Sequence, residues 1–126
     1  MAFYRSGGGS DTETVLWTNG SPTSSFAQKT VTLSDNINNY DYIKMTFRYS
    51  TSDDTELVEI FPVENIDINT AKRSTYLGVM WYAGSWKYRN ITNNYTSVEI
   101  SNCVFVGGSS SNGSIIPLQI IGIKEA

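Results

Sequence analysis

Catalytic chemistry has few places to sit in this chain. It contains no histidine, so the commonest general base and the commonest zinc ligand are both missing. Neither a G-x-S-x-G elbow nor a phosphate-cradling glycine loop is present, and Gly7-Gly8-Gly9 is not followed by a helical pattern. The single cysteine, Cys103, precedes Val104 and Phe105 and reads as a reduced, inert core thiol. Carboxylates remain. Asp53, Asp54, Glu56 and Glu59 lie close together, with Glu64, Asp67 and Glu99 elsewhere. A glycosidase needs two such groups about 5–9.5 Å apart across the scissile bond. Turn aspartates and strand-surface acids are much commoner, so the expectation is no catalytic residue and no enzyme. Asp35, Asn36, Asn38 and Asn39 form an oxygen-rich stretch, but the spacing of a calcium loop is absent and local Asx turns account for it. No metal and no cofactor are expected.

Binding is better provided for. Tyr76, Trp81, Tyr82, Trp86, Tyr88 and Tyr95 crowd one stretch, interleaved with Lys87, Arg89, Asn90, Asn93 and Asn94. Aromatic faces offer large contact area at low entropic cost, while amides and a guanidinium fix orientation. The same palette matches the C–H faces and hydroxyls of a sugar. The candidate ligand-binding residues are Trp86, Arg89, Asn90, Asn93 and Tyr95. Period-two alternation puts Trp86, Tyr88 and Asn90 on one face and Lys87, Arg89 and Ile91 on the other, so half of this set must face the core. Trp86 and Tyr95 adjoin turns and are the rings expected outside.

The elements that position these residues all read as strands. Ile43, Met45, Phe47 and Tyr49 alternate with Lys44, Thr46, Arg48 and Ser50 in the clearest of them. Strands are also predicted over Glu13–Thr18, Gln28–Leu33, Glu56–Phe61, Tyr76–Ala83, Trp86–Thr92 and Ser97–Val106. The run Ile115–Lys124 is apolar on both faces and fits a strand covered on both sides, with Pro117 at its start and pairing from Leu118 onward. Phe26, alone in a Ser/Thr-rich loop, is expected to plug the core. Asn65–Arg73 is polar and aperiodic and reads as a loop. About eight strands without a 3.6-residue period predict an all-β, antiparallel, jelly-roll-like β-sandwich. It occupies residues 12–126 as a single domain, behind a flexible Gly/Ser tether over residues 1–11. The second apolar face of the closing strand predicts an oligomer.

A net charge of −3 without a basic cluster argues against nucleic acid. Without a run of ~20 apolar residues, membrane insertion is not expected. The first residues, Met1 to Arg5, lack the apolar run of a secretion signal.

Val15–Leu33, with its Trp17-Thr18-Asn19-Gly20-Ser21-Pro22 turn and Phe26, followed by Tyr40-Asp41-Tyr42-Ile43, resembles the opening of a small β domain in bacteriophage and prophage tail-fibre or baseplate proteins of Gram-positive gut bacteria. Ile116–Lys124 is similar to the way those chains close. The resemblance implies a receptor-binding domain at the virion tail, made in the bacterial cytoplasm and acting outside the cell. Its implied partners are a bacterial cell-surface saccharide, other tail proteins and two further copies in a homotrimer. A purely structural tail or capsid decoration module is the alternative, and a small polysaccharide-degrading enzyme a more distant one. The resemblance carries no ligand residues with it.

Overall fold

In the computed structural model, which describes residues 10–63, 74–82, 85–107 and 111–126, the alternating segment Tyr42–Ser50 and the apolar run Ser114–Lys124 pair at the centre of one sheet. Along the chain, β1 (Thr12–Thr18), β2 (Lys29–Thr32), a 3₁₀ turn (Ile37–Asn39), β3 (Tyr42–Ser50), β4 (Glu56–Pro62), β5 (Ser74–Tyr82), β6 (Ser85–Asn93), β7 (Ser97–Ile100), β8 (Val104–Phe105) and β9 (Ser114–Lys124) follow one another. Two antiparallel sheets result: β1-β9-β3-β4, and β2-β7-β6-β5 with β8 added to β6. The predicted all-β sandwich is therefore the fold. Residues 1–9, 64–73, 83–84 and 108–110 lie outside the described residues, so the tether before Ser10, the Asn65–Arg73 loop and the tip of the glycine-rich loop are not described.

Ile43, Met45 and Phe47 of β3 meet Val31, Ile91, Val98 and Ile100 of the facing sheet in one core. Tyr49 continues the same alternation but is exposed. β9 is buried nearly throughout, as its two apolar faces predict. Its start differs from expectation. The strand begins at Ser114, and Pro117 lies within it, opposite Phe47 where the register shifts. A bulge tolerates the missing N–H there, and the Pro117 carbonyl accepts from Asn19 Nδ2 (2.8 Å).

Ser97–Val106 also departs from expectation, being two strands rather than one. At the break, side chains take the backbone groups that a ladder would use. Ser101 Oγ accepts from Asn90 N (2.8 Å), the Ser101 carbonyl accepts from Arg89 Nη1 (2.7 Å), and Asn112 Oδ1 accepts from Cys103 N (2.9 Å). Cys103 is buried, as expected of a core thiol, and burial raises its pKa.

The two ends of the sandwich differ in character. At one end β1 starts opposite Lys124, and Ala126 N donates to Asp11 Oδ1 (3.2 Å). The 3₁₀ turn closes this end. Its Tyr40 ring lies against Gly122, where an added Cβ would sit 2.6 Å from ring carbons. The Tyr40 hydroxyl donates to Asp35 Oδ2 (2.8 Å), and Asp35 Oδ1 accepts from Asn36 N and Asn39 Nδ2. The oxygen-rich stretch thus builds the turn that seats Tyr40.

Asp35 carries a testable pH signature. The Tyr40 hydroxyl, followed by the Asn36 and Asn39 donors, lowers its pKa below 3.8. A depressed carboxylate stabilises the fold fully above its unfolded value and ceases to do so as pH falls through the folded value. Asp35→Asn is therefore expected to melt below the parent at neutral pH, with the gap closing below about pH 3.8. A gap of the same size at about pH 3 and pH 7 in thermal melts would show that the charge contributes nothing.

At the opposite end lie the β1–β2 loop, the β3–β4 turn and the described parts of the β8–β9 loop. They are tied to one another. Phe26 N donates to the Asn112 carbonyl (2.9 Å), Gln28 N to Asn102 Oδ1 (2.8 Å), and Thr51 N to the Gly113 carbonyl (2.9 Å).

Candidate functional site

β6 carries most of the candidate residues, and its pleat sorts them. Arg89, Ile91 and Asn93 are buried, whereas Trp86 is exposed and Asn90 half-buried. The alternation is the predicted one, and it divides the predicted set of five. Arg89 requires a correction. It is 0% exposed and lies inside the sandwich, out of reach of any ligand on the outer face. Asn93, at 6% exposed, is likewise turned inward.

Arg89 is a buried cation without a carboxylate contact among the described residues. Its guanidinium instead donates to four backbone carbonyls: Ile115 (2.7 Å), Ser101 (2.7 Å), Ser114 (3.0 Å) and Asn112 (3.3 Å). The Phe26 ring lies 5.3 Å from its centre. Burial pushes its pKa down to about 10, so it still carries its charge at neutral pH. These contacts hold the β8–β9 loop against the top of β6. Ile115 has φ +52, a conformation that costs a β-branched residue of order 1–3 kcal/mol. Arg89 bonds its carbonyl, and its side chain packs beside Gly78, which has φ +66 in a bulge of β5.

Trp86 and Tyr95 do not share a site. Trp86 stands near the start of β6 and Tyr95 just beyond its end, so they are separated by roughly 25–30 Å of strand. Tyr95 sits at the terminal end, where its carbonyl accepts from Ile37 N (3.0 Å). The partner of Trp86 is Trp81, its cross-strand neighbour on β5. The two rings meet edge to face, with centroids 5.0 Å apart and planes at 77°. They are 60% and 48% exposed, Trp81 the more so. Hairpin register could have found this pair: pairing 82 with 85 sets 81 against 86. Val106 continues the apolar surface, its N–H donating to the Trp86 carbonyl (3.0 Å). Lys87 points the other way, with Nζ on Ser114 Oγ (3.0 Å) and above the Phe105 ring.

The acidic residues are scattered in their tasks. Asp53 accepts from Thr55 N and Oγ1 within the β3–β4 turn, which lowers its pKa. Glu59 reaches across the open side of the sandwich to the Gly78 N–H.

The distal end thus offers a pair of exposed, mutually packed indoles and loops rich in hydroxyls and amides. Such a surface can stack on a sugar ring and bond its hydroxyls. No protein-family model matches the chain, and no curated protein matches it.

Proposed function

We propose that this domain is a non-catalytic adhesin of a bacteriophage tail, which holds a bacterial cell-surface saccharide at the end remote from residues 11 and 126. The observation that carries the reading is the exposed Trp81–Trp86 pair. A solvent-exposed pair of large rings costs free energy in a domain standing alone, and two indoles are more than a hairpin needs. Position supports it as well. If the chain joins a longer tail protein through either terminus, the Trp pair and the polar loops face outward. The resemblance of Val15–Leu33 and Ile116–Lys124 to phage tail domains supplies the biological setting. Assembly as a homotrimer belongs to the same proposal, since several weak saccharide sites gain avidity of roughly 10²–10⁴ when presented together.

A specific observation favours a second reading, a structural tail module. Val15, Val58 and Ile60 are exposed on the outer face of the β1-β9-β3-β4 sheet, a surface suited to covering by another chain.

The two readings give different results for Trp81→Ala and Trp86→Ala. Both side chains are exposed, so both variants are expected to fold and to sediment like the parent. Adsorption to host cells and retention on isolated wall polysaccharide are each expected to fall by about ten-fold, the scale of one lost aromatic anchor. Unchanged adsorption in both variants, with changed assembly, would favour the structural module instead.

A further inference from the structure

At the same end of the sandwich as the Trp pair, but next to the other edge strand, the β1–β2 loop borders a concave feature. Asn19, Ser21, Ser25, Phe26, Gln28 and Lys29 line a cleft of about 410 Å³, within the size range of small-ligand sites. Its backbone is held from outside. Asn19 N bonds the Leu118 carbonyl (2.8 Å), Asn19 Oδ1 accepts from Ser21 N (2.8 Å), and the Phe26 and Gln28 amides are taken by Asn112 and Asn102. Nothing lies within 4 Å of a Cβ built at Gly20. Of the side chains named here as lining the cleft, Asn19 is the one whose polar atoms fix the loop. Among the described residues the hydroxyls of Ser21 and Ser25, the carboxamide of Gln28 and the ammonium of Lys29 have no hydrogen-bond or ion-pair partner. Four exposed polar residues, one of them charged, thus line one cleft together with Phe26.

We propose that this cleft binds an oxyanion carried on a polyol, as in an acidic saccharide, with Lys29 facing the charge and Ser21, Ser25 and Gln28 bonding hydroxyls. The proposal rests on the saccharide-binding reading above and adds the charge of the ligand. The cations near the Trp pair cannot serve this purpose: Arg89 is sealed in the core and Lys87 is directed to Ser114. Register separates the cleft from the Trp pair: Lys29 pairs with Ile100 and Ile100 with Ile91, five residues along β6 from Trp86, and Lys29 shares the pleat face of buried Val31. The cleft is therefore a site of its own, not the end of a ligand lying on the indoles.

The test is an amide-resolved NMR titration of the full chain with D-glucuronate, sn-glycerol 3-phosphate and, as the neutral probe, D-glucose. At least one charged probe is expected to shift the Gly20, Ser21, Ser25 and Lys29 amides saturably and more tightly than glucose. The tighter of the two identifies carboxylate or phosphate as the natural charge. Lys29→Met, at an exposed position, is expected to weaken that probe about five-fold and to leave glucose unchanged. Charged probes that bind there no better than glucose, or an affinity indifferent to Lys29→Met, would overturn the proposal. If the cleft fails in this way while Trp86→Ala still impairs adsorption, the charged site falls and the adhesin reading stands. If the cleft titrates as expected while both Trp variants adsorb normally, the anion site stands and the Trp platform falls.

Discussion

Arg89→Met is expected to destabilise the domain by about 3–5 kcal/mol. The guanidinium donates to the carbonyls of Ser101, Asn112, Ser114 and Ile115. These acceptors are main-chain groups and remain when the side chain is removed. A buried acceptor without a donor costs about 1–3 kcal/mol. Relief from burying a charge offsets part of that sum, since the depressed pKa of about 10 shows that burial disfavours the cation. The acceptors outweigh the charge because there are four of them. Arg89→Lys is expected to recover only part of the loss: an ammonium is compact, and its three donors cannot imitate the planar fork. Urea denaturation measures both variants. A loss below about 1 kcal/mol for Arg89→Met would mean that water or a shifted loop satisfies the four carbonyls. A local readout accompanies the global one, because faster hydrogen exchange at the Phe26 and Cys103 amides, both bonded to Asn112, would report loosening of the distal loops.

Phe26→Ala is expected to cost about 3–5 kcal/mol, the range for deleting a buried phenyl ring. Phe26 is 7% exposed and belongs to the core although it sits in a loop. Its ring meets Trp17 edge to face at 6.1 Å and lies 5.3 Å from the Arg89 guanidinium. The cavity left behind would adjoin a buried charge, so collapse around it would disturb Arg89 as well. Residues that share a partner couple, and the Phe26→Ala/Arg89→Met double variant is expected to lose less than the sum of its parts. A melting temperature for Phe26→Ala unchanged within error would place the ring outside the core.

The two residues differ in how they could be read beforehand. A lone Phe between two short strands, in a loop otherwise of Ser, Thr and Gln, has few roles except burial, and the structure buries it. Arg89 offered no such clue. Interleaved with aromatics and amides it looked like a ligand contact, and only its position on the face shared with Ile91 hinted otherwise. The acceptors that hold it lie 12 to 26 residues further along the chain, and nothing local connects them to residue 89.

Local pattern determined a great deal here. The alternation of Ile43, Met45 and Phe47 with polar neighbours, the two apolar faces of Ser114–Lys124, and the turn residues between segments were enough for an antiparallel sandwich, because pleat and burial act over two or three residues at a time. The same pleat separated Trp86 and Asn90 from Arg89 and Ile91. Which of those faces was the inner one depended on the opposite sheet. Distance was also misread: Trp86 and Tyr95 are neighbours in sequence, yet an extended strand holds them at opposite ends of the molecule. Trp81, five residues before Trp86, is the residue that touches it, because antiparallel pairing folds the chain back upon itself. The break at Ser101–Cys103 and the bulge at Pro117 were decided in the same way, by Arg89, Asn112 and Asn19 reaching in from remote segments. Periodicity is written in adjacent residues, whereas the partners of a buried charge or a broken ladder are assigned only when distant strands meet.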